Sequence, residues 1–355
     1  MGHIYAAIQN WVLALGTFCI MFTVIPATFV LFLCELALGV TGLKPKPRKP
    51  RNILITSASS GIGAQLALEY AAPGVTLILL ANDVDRLGAV ARRCSLQGAE
   101  VEAITFNLSN KDKLEQLLQT VWSRQTIDLV IANAGTSGLD LRTISWQDMY
   151  KHIVDVNITS VYATIMPIFK KMQQRGYGQI AVVSSVASFY GVANMIWYNQ
   201  SKSALTAFAR DLHYLGQQDN IWVSGRLRVI PSGLLRKLSS SSRFIGDNIH
   251  SDTLVLGIFT FISAAPADLD ATVVTPGLVR TALSTKLQSS LPLIMHVDPR
   301  RAAKYIKDGL ADGVFLISFP FLEFMATFLA HTLPPNLWTY VTWGLTSLGL
   351  GEKVA

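Results

Sequence analysis

The stretch that decides the fold is Asn52 to Gly63, which reads NILITSASSGIG. An apolar, β-prone run leads into a turn of serines and glycines, and the helical pattern Ala64 to Ala71 follows. Because Gly61 and Gly63 lack side chains, the backbone there can approach a pyrophosphate at a helix N-terminus. The stretch predicts a strand, a turn and a helix of a parallel α/β fold, although a plain β–α turn would have the same outline.

A second informative stretch is Ser184 to Lys202, which reads SSVASFYGVANMIWYNQSK. Tyr198 and Lys202 are four residues apart, so on a helix they share one face. A fixed ammonium beside the phenol is expected to lower its pKa from about 10. Ser185 follows the apolar run Ile180 to Val183, which indicates a buried strand, and its hydroxyl can hydrogen-bond a substrate carbonyl. The three side chains predict an acid–base site for a carbonyl–alcohol pair.

Together the two stretches resemble the short-chain dehydrogenase/reductase family, in its membrane-associated form. The resemblance covers roughly Arg51 to Thr281 and, more loosely, the C-terminal tail. It implies a Rossmann-like doubly wound parallel sheet, which the alternating strand and helix patterns also favour. It further implies reversible hydride transfer between a nicotinamide cofactor and a ketone or secondary alcohol.

The resemblance implies four catalytic residues. Tyr198 would protonate the nascent alkoxide, and Lys202 would lower the pKa of Tyr198 and hold the nicotinamide ribose. Ser185 would polarise the carbonyl. Asn157, which lies inside the predicted long helix Trp146 to Met172, would support the proton relay by orienting a water.

The resemblance also implies which residues contact the cofactor. They come from the glycine-rich turn, the ends of the predicted strands, the segment N-A-G and the turn P-G-x-x-x-T. The set is Ser57, Ser59, Gly61, Ile62, Gly63, Asn82, Asn107, Asn133, Ala134, Gly135, Tyr198, Lys202, Pro276, Gly277, Val279 and Thr281.

Several positions depart from the family pattern. Ser57 stands where the family has the first glycine of T-G-x-x-x-G-x-G; a negative φ accommodates serine there, whereas a positive φ would weaken cofactor binding. Ala81 and Asn82 provide neither the acid that indicates NAD nor the arginine that indicates NADP. The missing acid favours NADPH, with NADH not excluded. Arg86 could reach a 2′-phosphate but fits a solvated helix face, and Asn107 replaces the usual Asp near the adenine.

The composition points away from other classes of protein. Half of the 355 residues are hydrophobic, and the excess lies at both ends. The formal charge of +7 could suggest nucleic acid, but the clearest basic cluster, within 44–51, directly follows an apolar run and so indicates a membrane flank. The three cysteines form no disulfide framework. The sequence has no internal repeat, no metal-ligand spacing and no nucleic-acid module.

The apolar run Val12 to Val40 predicts a membrane anchor within residues 1–43. As a helix it would be roughly 43 Å long, more than the ~30 Å hydrocarbon core. A cleaved signal peptide is the rival, but its basic residues would precede the apolar core rather than follow it. Pro26 also allows a kinked or re-entrant hairpin. Residues 44–51 form a basic, proline-rich linker, and the positive-inside rule then places the catalytic domain in the cytosol.

The predicted Rossmann-like domain, 52–310, carries an atypical insert at 224–271. The family's sixth strand would join Asn220 to Val223 directly to Thr272. Three interpretations stay open: a lid over a lipid substrate, a membrane-contact loop built on Leu254 to Ile262, or unspliced sequence translated in an incorrect gene model. Loops this long inside a domain are uncommon unless they are functional or disordered.

The C-terminal part, 311–355, is strongly apolar, but Pro320, Pro334 and Pro335 interrupt it. It predicts an apolar helical cap over the substrate mouth, at the membrane interface, with aromatic residues at headgroup level. A pair of C-terminal core helices is the alternative.

These observations predict an NADPH-dependent reductase of a lipophilic ketone of the keto-sphingoid, acyl-ketone or steroid type. Its expected partners are that substrate and a membrane, either the endoplasmic reticulum or a lipid-droplet surface, with no nucleic acid; the resemblance also allows a homodimer. The alternative is a non-catalytic nucleotide-binding sensor or scaffold at the membrane. The departures at Ser57, Asn82 and Asn107 favour that alternative, and the four intact catalytic positions oppose it.

Overall fold

A computed structural model of the chain describes residues 47–138, 144–189, 195–218, 268–277, 279–281, 283, 297–314 and 316–319. The anchor predicted at 12–40, the insert up to residue 267 and the cap beyond residue 319 lie outside the described residues.

Seven strands form one parallel sheet within the described residues. They are β1 (Asn52–Thr56), β2 (Thr76–Ala81), β3 (Glu100–Thr105), β4 (Leu129–Ala132), β5 (Tyr177–Val183), β6 (Asp268–Pro276) and β7 (Leu316–Phe319). The strand order is β3-β2-β1-β4-β5-β6-β7, and every neighbouring pair is parallel. The order reverses between β1 and β4, which is where doubly wound sheets open a crevice at the carboxyl ends of the strands.

The helices cover both faces of the sheet. They are α1 (Gly61–Tyr70), α2 (Val84–Leu96), α3 (Lys111–Arg124), α4 (Trp146–Val154), α5 (Ser160–Arg175), α6 (Ile196–Gln218) and α7 (Pro299–Ala311). Hydrophobic residues of α1, α2 and α7 pack on one face, and those of α3, α5 and α6 pack on the other.

The strands are apolar throughout because they are buried on both sides. In β1, Ile53 and Ile55 belong to the core beneath α1, whereas Leu54 between them belongs to the core beneath α5. All three are fully buried, and each such side chain contributes about 1.5–3 kcal/mol of hydrophobic stabilisation. This double core holds the carboxyl ends of the strands in fixed positions.

The helix predicted from Trp146 to Met172 is interrupted in the structure. A π-helical turn, Asp155–Thr159, separates α4 from α5, so that the segment is three consecutive pieces rather than one regular helix. Within the described part of the chain, only Trp146–Arg175 is long and apolar enough to cross a membrane. Its buried residues, such as Ile165 and Phe169, pack on the sheet, as those of a core helix do.

The C-terminal half of the sheet includes residues from both the predicted insert and the predicted cap. Strand β6 begins at Asp268, so residues assigned to the insert 224–271 supply the start of the strand that we expected from Asn220 to Val223. Strand β7 pairs with β6 from Val273 onward and belongs to the sheet rather than to a cap that begins at residue 311. The sheet therefore includes residues beyond 310, the predicted end of the Rossmann-like domain, and the domain bounds stay a prediction.

Candidate active site

The glycine-rich turn joins the carboxyl end of β1 to α1, and its path requires small residues. A Cβ atom at Gly63 would lie 2.4 Å from the carbonyl oxygen of Ser57 and 2.6 Å from Nδ2 of Asn133, closer than real Cβ atoms approach. Gly61 has a φ of +56°. Ser57 has a φ of +51°, the left-handed conformation that the replaced glycine would adopt without strain. The negative φ that would accommodate a serine is therefore not what the turn adopts.

The N-terminus of α1 suits an anionic group. Its N-cap residue, Ser60, makes no side-chain hydrogen bond to the helix, and the first turn carries no acidic residue. By contrast, α2, α3, α4 and α7 each begin with an N-cap side chain that accepts a backbone N–H. The amide groups of α1 are thus left for a ligand such as a pyrophosphate. Of the neighbouring expected contacts, Ser59 is half-buried and Ile62 packs against the core, which leaves the backbone of Ile62 for the cofactor.

The N-A-G segment after β4 is fastened to the end of β1. Oγ1 of Thr56 accepts hydrogen bonds from the backbone N–H groups of Asn133, at 3.0 Å, and Ala134, at 3.1 Å. Nδ2 of Asn133 donates to the carbonyl oxygen of Thr56. A Cβ atom at Gly135 would lie 3.1 Å from Nζ of Lys202 and 3.6 Å from Oδ1 of Asn157. The predicted cofactor cradle and the predicted catalytic side chains therefore adjoin at the switch between β1 and β4, and the residues present fit a dinucleotide.

Asn157 is fully buried in the π-helical turn, and its side chain connects three segments. Its Oδ1 accepts the backbone N–H of Thr136 at 2.7 Å, and its Nδ2 donates to the carbonyl oxygen of the same residue and to Oγ of Ser201, both at 2.9 Å. Oγ of Ser201 donates in turn to the carbonyl oxygen of Tyr198 at 2.7 Å. The amide of Asn157 thus fixes the segment after N-A-G to the helix that carries Tyr198 and Lys202.

Ser185, Tyr198 and Lys202 lie together at the carboxyl end of β5. The hydroxyl of Ser185 lies close enough to that of Tyr198 to lower the pKa of the phenol. Nζ of Lys202 donates to the carbonyl oxygen of Val183 at 3.0 Å and lies 5.7 Å from the centroid of the Tyr198 ring. All three side chains are buried, and Tyr198 packs against Ala187 in a small hydrophobic cluster. The geometry thus brings the predicted acid–base group together.

The pKa of Tyr198 is displaced in the direction opposite to our expectation. Burial raises the pKa of Tyr198, and the nearby hydroxyl of Ser185 offsets this only in part. Burial also lowers the pKa of Lys202, to about 8. Desolvation outweighs the ammonium here, because both groups are removed from water and Nζ of Lys202 is directed at the carbonyl of Val183.

The expected adenosine contacts lie at the ends of β2 and β3, on the same edge of the sheet. Asn82 and Asn107 are exposed there. Asp83, the next residue after Asn82, caps α2, and its carboxylate contacts Nε of Arg86 at 2.6 Å. Oδ1 of Asn107 accepts the backbone N–H of Ser109, so the acceptor oxygen that this residue keeps is used within its own turn.

The P-G turn follows β6 and comes back to the glycine-rich turn. The backbone N–H of Gly277 donates to the carbonyl oxygen of Phe319, and Oγ of Ser185 lies 3.4 Å from the carbonyl oxygen of Pro276. Val279 pairs with Val297 in an isolated parallel bridge. A Cβ atom at Gly61 would lie 3.3 Å from Cγ2 of Thr281.

The sequence interpretation missed two residues that hold the site together. Ser201 and Thr136 bind the side chain of Asn157 from two sides. A signal for Ser201 existed, because it lies three residues after Tyr198 and therefore on a neighbouring face of the helix. The role of Thr136 rests on its backbone and has no signal in its side chain.

The family model described as short chain dehydrogenase matches residues 51–233, just over half of the chain. An uncharacterised oxidoreductase of Myxococcus xanthus is 32% identical over 164 residues, which cover 46% of this chain and 64% of that protein. Dehydrogenase/reductase SDR family member 7 of Mus musculus is 30% identical over 175 residues, which cover 48% of this chain and 52% of that protein. The chain thus spans from about half to just under two thirds of the length of these relatives.

Solved structures share the fold. A short-chain dehydrogenase from Sphingobium yanoikuyae in complex with NADPH has a TM-score of 0.55 and 20% sequence identity, and the match covers 86% of this chain and 97% of that one. Levodione reductase has a TM-score of 0.58 and 17% identity, with 78% of this chain and 98% of that one covered. These similarities agree with the parallel seven-stranded sheet described above.

Proposed function

We propose, from the premise that this chain belongs to the short-chain dehydrogenase family, that it is an NADPH-dependent reductase of a lipophilic ketone at a membrane surface. One observation carries the proposal. Ser185, Tyr198, Lys202 and Asn157 converge beside a glycine cradle at the switch point of the sheet. The nicotinamide ring supplies the hydride when the cofactor is bound.

Tyr198 is the proposed general acid. Because burial raises its pKa, its hydroxyl keeps the proton at neutral pH and can give it to the oxygen of a ketone that is being reduced. The hydroxyl of Ser185 lies near that of Tyr198, and we assign both to the same carbonyl oxygen of the substrate. Lys202, with a pKa of about 8, is largely charged at pH 7 and offsets the negative charge that forms on the tyrosine oxygen.

The end of β2 supports NADPH as the cofactor. No carboxylate stands at Ala81 or Asn82 to bind the ribose 2′-hydroxyl, which is the contact typical of NAD enzymes. The nearest acid, Asp83, is bound to the backbone and side chain of Arg86 and belongs to the N-cap of α2.

The surface beside Tyr198 supports a lipophilic substrate. At the N-termini of α4 and α6, Trp146 is 66% exposed, and Tyr150 and Ile196 are each 46% exposed. The ring of Trp197 lies 4.8 Å from that of Tyr150 and 6.1 Å from that of Trp146, centroid to centroid. An exposed apolar surface on α4 and on the start of α6, the helix that carries Tyr198, supports a substrate with a long or bulky apolar part.

The proposal is tested with the full chain purified in detergent. Ketone-dependent oxidation of NADPH is measured with a long-chain acyl ketone, a keto-sphingoid base, a ketosteroid and a small cyclic ketone. We expect a lipophilic ketone to be reduced fastest. Tyr198→Phe should lower turnover by about 10²- to 10⁴-fold, because it removes the proton donor.

The controls separate catalysis from folding and from a sensor. Tyr198→Phe should still bind NADPH, as measured by the change in nicotinamide fluorescence, and Tyr214→Phe, the same change at an exposed position near the end of α6, should keep full turnover. Full activity of Tyr198→Phe would refute the assignment. NADPH binding by the unaltered chain without reduction of any ketone would favour the nucleotide sensor.

A further inference from the structure

A cluster of cations and aromatic rings lies at the edge of the sheet opposite the active site. Cζ of Arg175 lies 3.7 Å from the ring centroid of Tyr177, the first residue of β5, and Cζ of Arg48 lies 4.8 Å from it. Cζ of Arg175 also lies 5.2 Å from the ring of Trp122, and Nζ of Lys171 lies 5.8 Å from it. We call these five residues the basic–aromatic edge.

One carboxylate lies inside this cluster, and it is already engaged. Oδ1 of Asp128 contacts Nη1 of Arg175 at 3.4 Å and the hydroxyl of Tyr177 at 3.3 Å. Its Oδ2 accepts the backbone N–H groups of Arg51 and Asn52. Asp128 therefore pairs with Arg175, whose side chain is only 15% exposed and also donates to the carbonyl oxygens of Ile127 and Tyr177, so the attraction of a partner rests on Arg48 and Lys171 rather than on Arg175.

Further cations surround the basic–aromatic edge. Lys49 and Arg51 in the linker and Lys170 near the end of α5 are exposed. With Arg48, Lys171 and Arg175 they make six cationic residues in these segments of the described chain. On one side the edge is bounded by Glu102, which pairs with Arg124 at 2.8 Å, and on the other by the start of β6, where Asp268 is in register with Tyr177.

The linker limits how far this edge can lie from the apolar N-terminal run. That run ends at Val40, and the described chain begins at Pro47. Seven residue steps reach at most roughly 25 Å, since an extended chain rises about 3.5 Å per residue. If the apolar run spans a bilayer, as the sequence predicts, the chain can carry Pro47 no farther than that distance from the bilayer.

We propose that the basic–aromatic edge docks on an anionic lipid bilayer, so that the catalytic edge of the sheet lies farther from that bilayer. This orientation is the alternative to the one in which a C-terminal cap brings the substrate mouth to the membrane interface. The inference rests on the membrane association in the proposed function and adds the orientation and the lipid chemistry. Each lysine or arginine near a surface of anionic lipids raises the affinity of a protein for the membrane by about fivefold. Tryptophan and tyrosine favour the headgroup region.

The orientation gives a measurable separation. Strand β5 begins at Tyr177 in the basic–aromatic edge and ends at Val183, next to the catalytic Ser185. At about 3.3 Å per residue, its length is roughly 20 Å. A probe at the basic–aromatic edge should thus lie closer to the headgroups than a probe at the catalytic edge.

The experiment places the full chain in lipid nanodiscs of phosphatidylcholine, with or without about a third of phosphatidylserine. A fluorophore is attached to Gln174→Cys, an exposed position on α5, or to Ser109→Cys, an exposed position after β3 at the catalytic edge. Cys19 and Cys34 are replaced by serine, and the buried Cys94 is kept. Lipids with a nitroxide on the headgroup quench the fluorophore according to its distance.

We expect at least about twofold stronger quenching at position 174 than at position 109 in the anionic discs, and less difference in neutral discs. Lys170→Glu with Lys171→Glu should remove the difference. Arg92→Glu with Arg93→Glu, an equal charge change on exposed positions of α2, should not. Lys49→Glu with Arg51→Glu is a second test pair, for use if the first pair fails to fold.

Equal quenching at positions 174 and 109 in the anionic discs would overturn the inference. The inference would also fail if Arg92→Glu with Arg93→Glu removed the difference in quenching as Lys170→Glu with Lys171→Glu does. If the charge reversal at Lys170 and Lys171 weakened binding to RNA but had no effect in nanodiscs, the inference would be overturned in favour of a nucleic-acid partner. A chain that does not enter nanodiscs refutes membrane association itself. Ketone-dependent NADPH oxidation in the same sample tests the proposed activity separately, and the Lys170 and Lys171 pair should leave it unchanged because both residues lie at the opposite edge.

Discussion

We expect the variant Ser57→Gly to be more stable than the variant Ser60→Gly, which has the same substitution three residues later in the same turn. Ser57 has a φ of +51°, and a non-glycine residue in that region costs about 1–2 kcal/mol. Glycine removes this strain but loses more conformational freedom on folding, at a cost of about 0.5–1 kcal/mol. The net free energy of unfolding of Ser57→Gly should therefore be unchanged or higher by up to about 1.5 kcal/mol.

Ser60→Gly is the matched control. Ser60 lies in the same turn at a φ of −158°, an extended conformation that any residue adopts, and its side chain does not cap α1. The change relieves no strain there and should destabilise the protein by about 0.5–1 kcal/mol. The entropic cost of glycine cancels in the comparison, so the two variants should differ by about 1–2 kcal/mol in the free energy of unfolding, the cost of the left-handed conformation.

Urea unfolding of the detergent-solubilised chain, followed by tryptophan fluorescence, measures this difference. Equal stability of the two variants, or a less stable Ser57→Gly, would refute the reasoning. Because the turn already has at Ser57 the left-handed conformation that a glycine would adopt, we expect Ser57→Gly to change stability more than NADPH affinity. A fluorescence titration with NADPH checks that expectation.

Two further predictions concern the buried polar network. Ser201→Ala leaves an N–H of the fully buried Asn157 unpaired, at a cost of about 1–3 kcal/mol in stability. We therefore expect kcat to fall and its pH profile to change, and Ser201→Thr, which keeps a hydroxyl, should restore both. The control Ser203→Ala removes only an exposed hydrogen bond to Ser188 and should leave kcat and its pH profile unchanged. Between pH 8 and 10.5 the unfolded chain keeps the proton of Lys202 while the folded chain, in which burial lowers the pKa of Lys202 to about 8, loses it. The unfolded state therefore binds more protons, and stability relative to Lys202→Met should rise with pH across that window; a flat difference in denaturation midpoint would contradict this.

Much of the sheet and of the site could be predicted because both depend on local patterns. The apolar run before the glycine-rich turn predicts β1, and the spacing of Tyr198 and Lys202 places both on one helix face, as α6 confirms. The parallel sheet and the family follow from the same stretches, and the match to residues 51–233 confirms the family. The residues that make up each pattern lie within a few positions of one another in the sequence, so these predictions do not depend on tertiary contacts.

The features that could not be predicted depend on tertiary packing. The π-helical turn at Asp155–Thr159 follows from the fit of Asn157 between Thr136 and Ser201, which come from distant parts of the sequence. The left-handed conformation of Ser57 follows from the close approach of its carbonyl to Gly63. The start of β6 was placed too late because Asp268 and Asp270 interrupt the apolar run that identifies a buried strand.

The same reasoning explains the remaining boundary. Leu316–Phe319 forms β7, but this segment lies at the start of a long apolar region of the sequence. Pro320 alone marks its end, so the apolar pattern does not separate a short strand from the region that follows. Pairing with β6 decides its conformation. The pKa of Tyr198 likewise depends on burial by several elements, and the spacing of Tyr198 and Lys202 alone gave the opposite direction.

The pairing of β5 with β6 has a consequence for synthesis on the ribosome. Val183 ends β5, and its partner strand begins only at Asp268. At about 5–20 residues per second, β6 is made roughly 4–17 seconds after β5. During that interval β1 to β5 can assemble while the apolar edge of β5 has no neighbour, and an open edge of this kind pairs readily with other chains. Nascent chains stalled shortly before residue 268 should therefore aggregate or recruit chaperones more than chains stalled after residue 319.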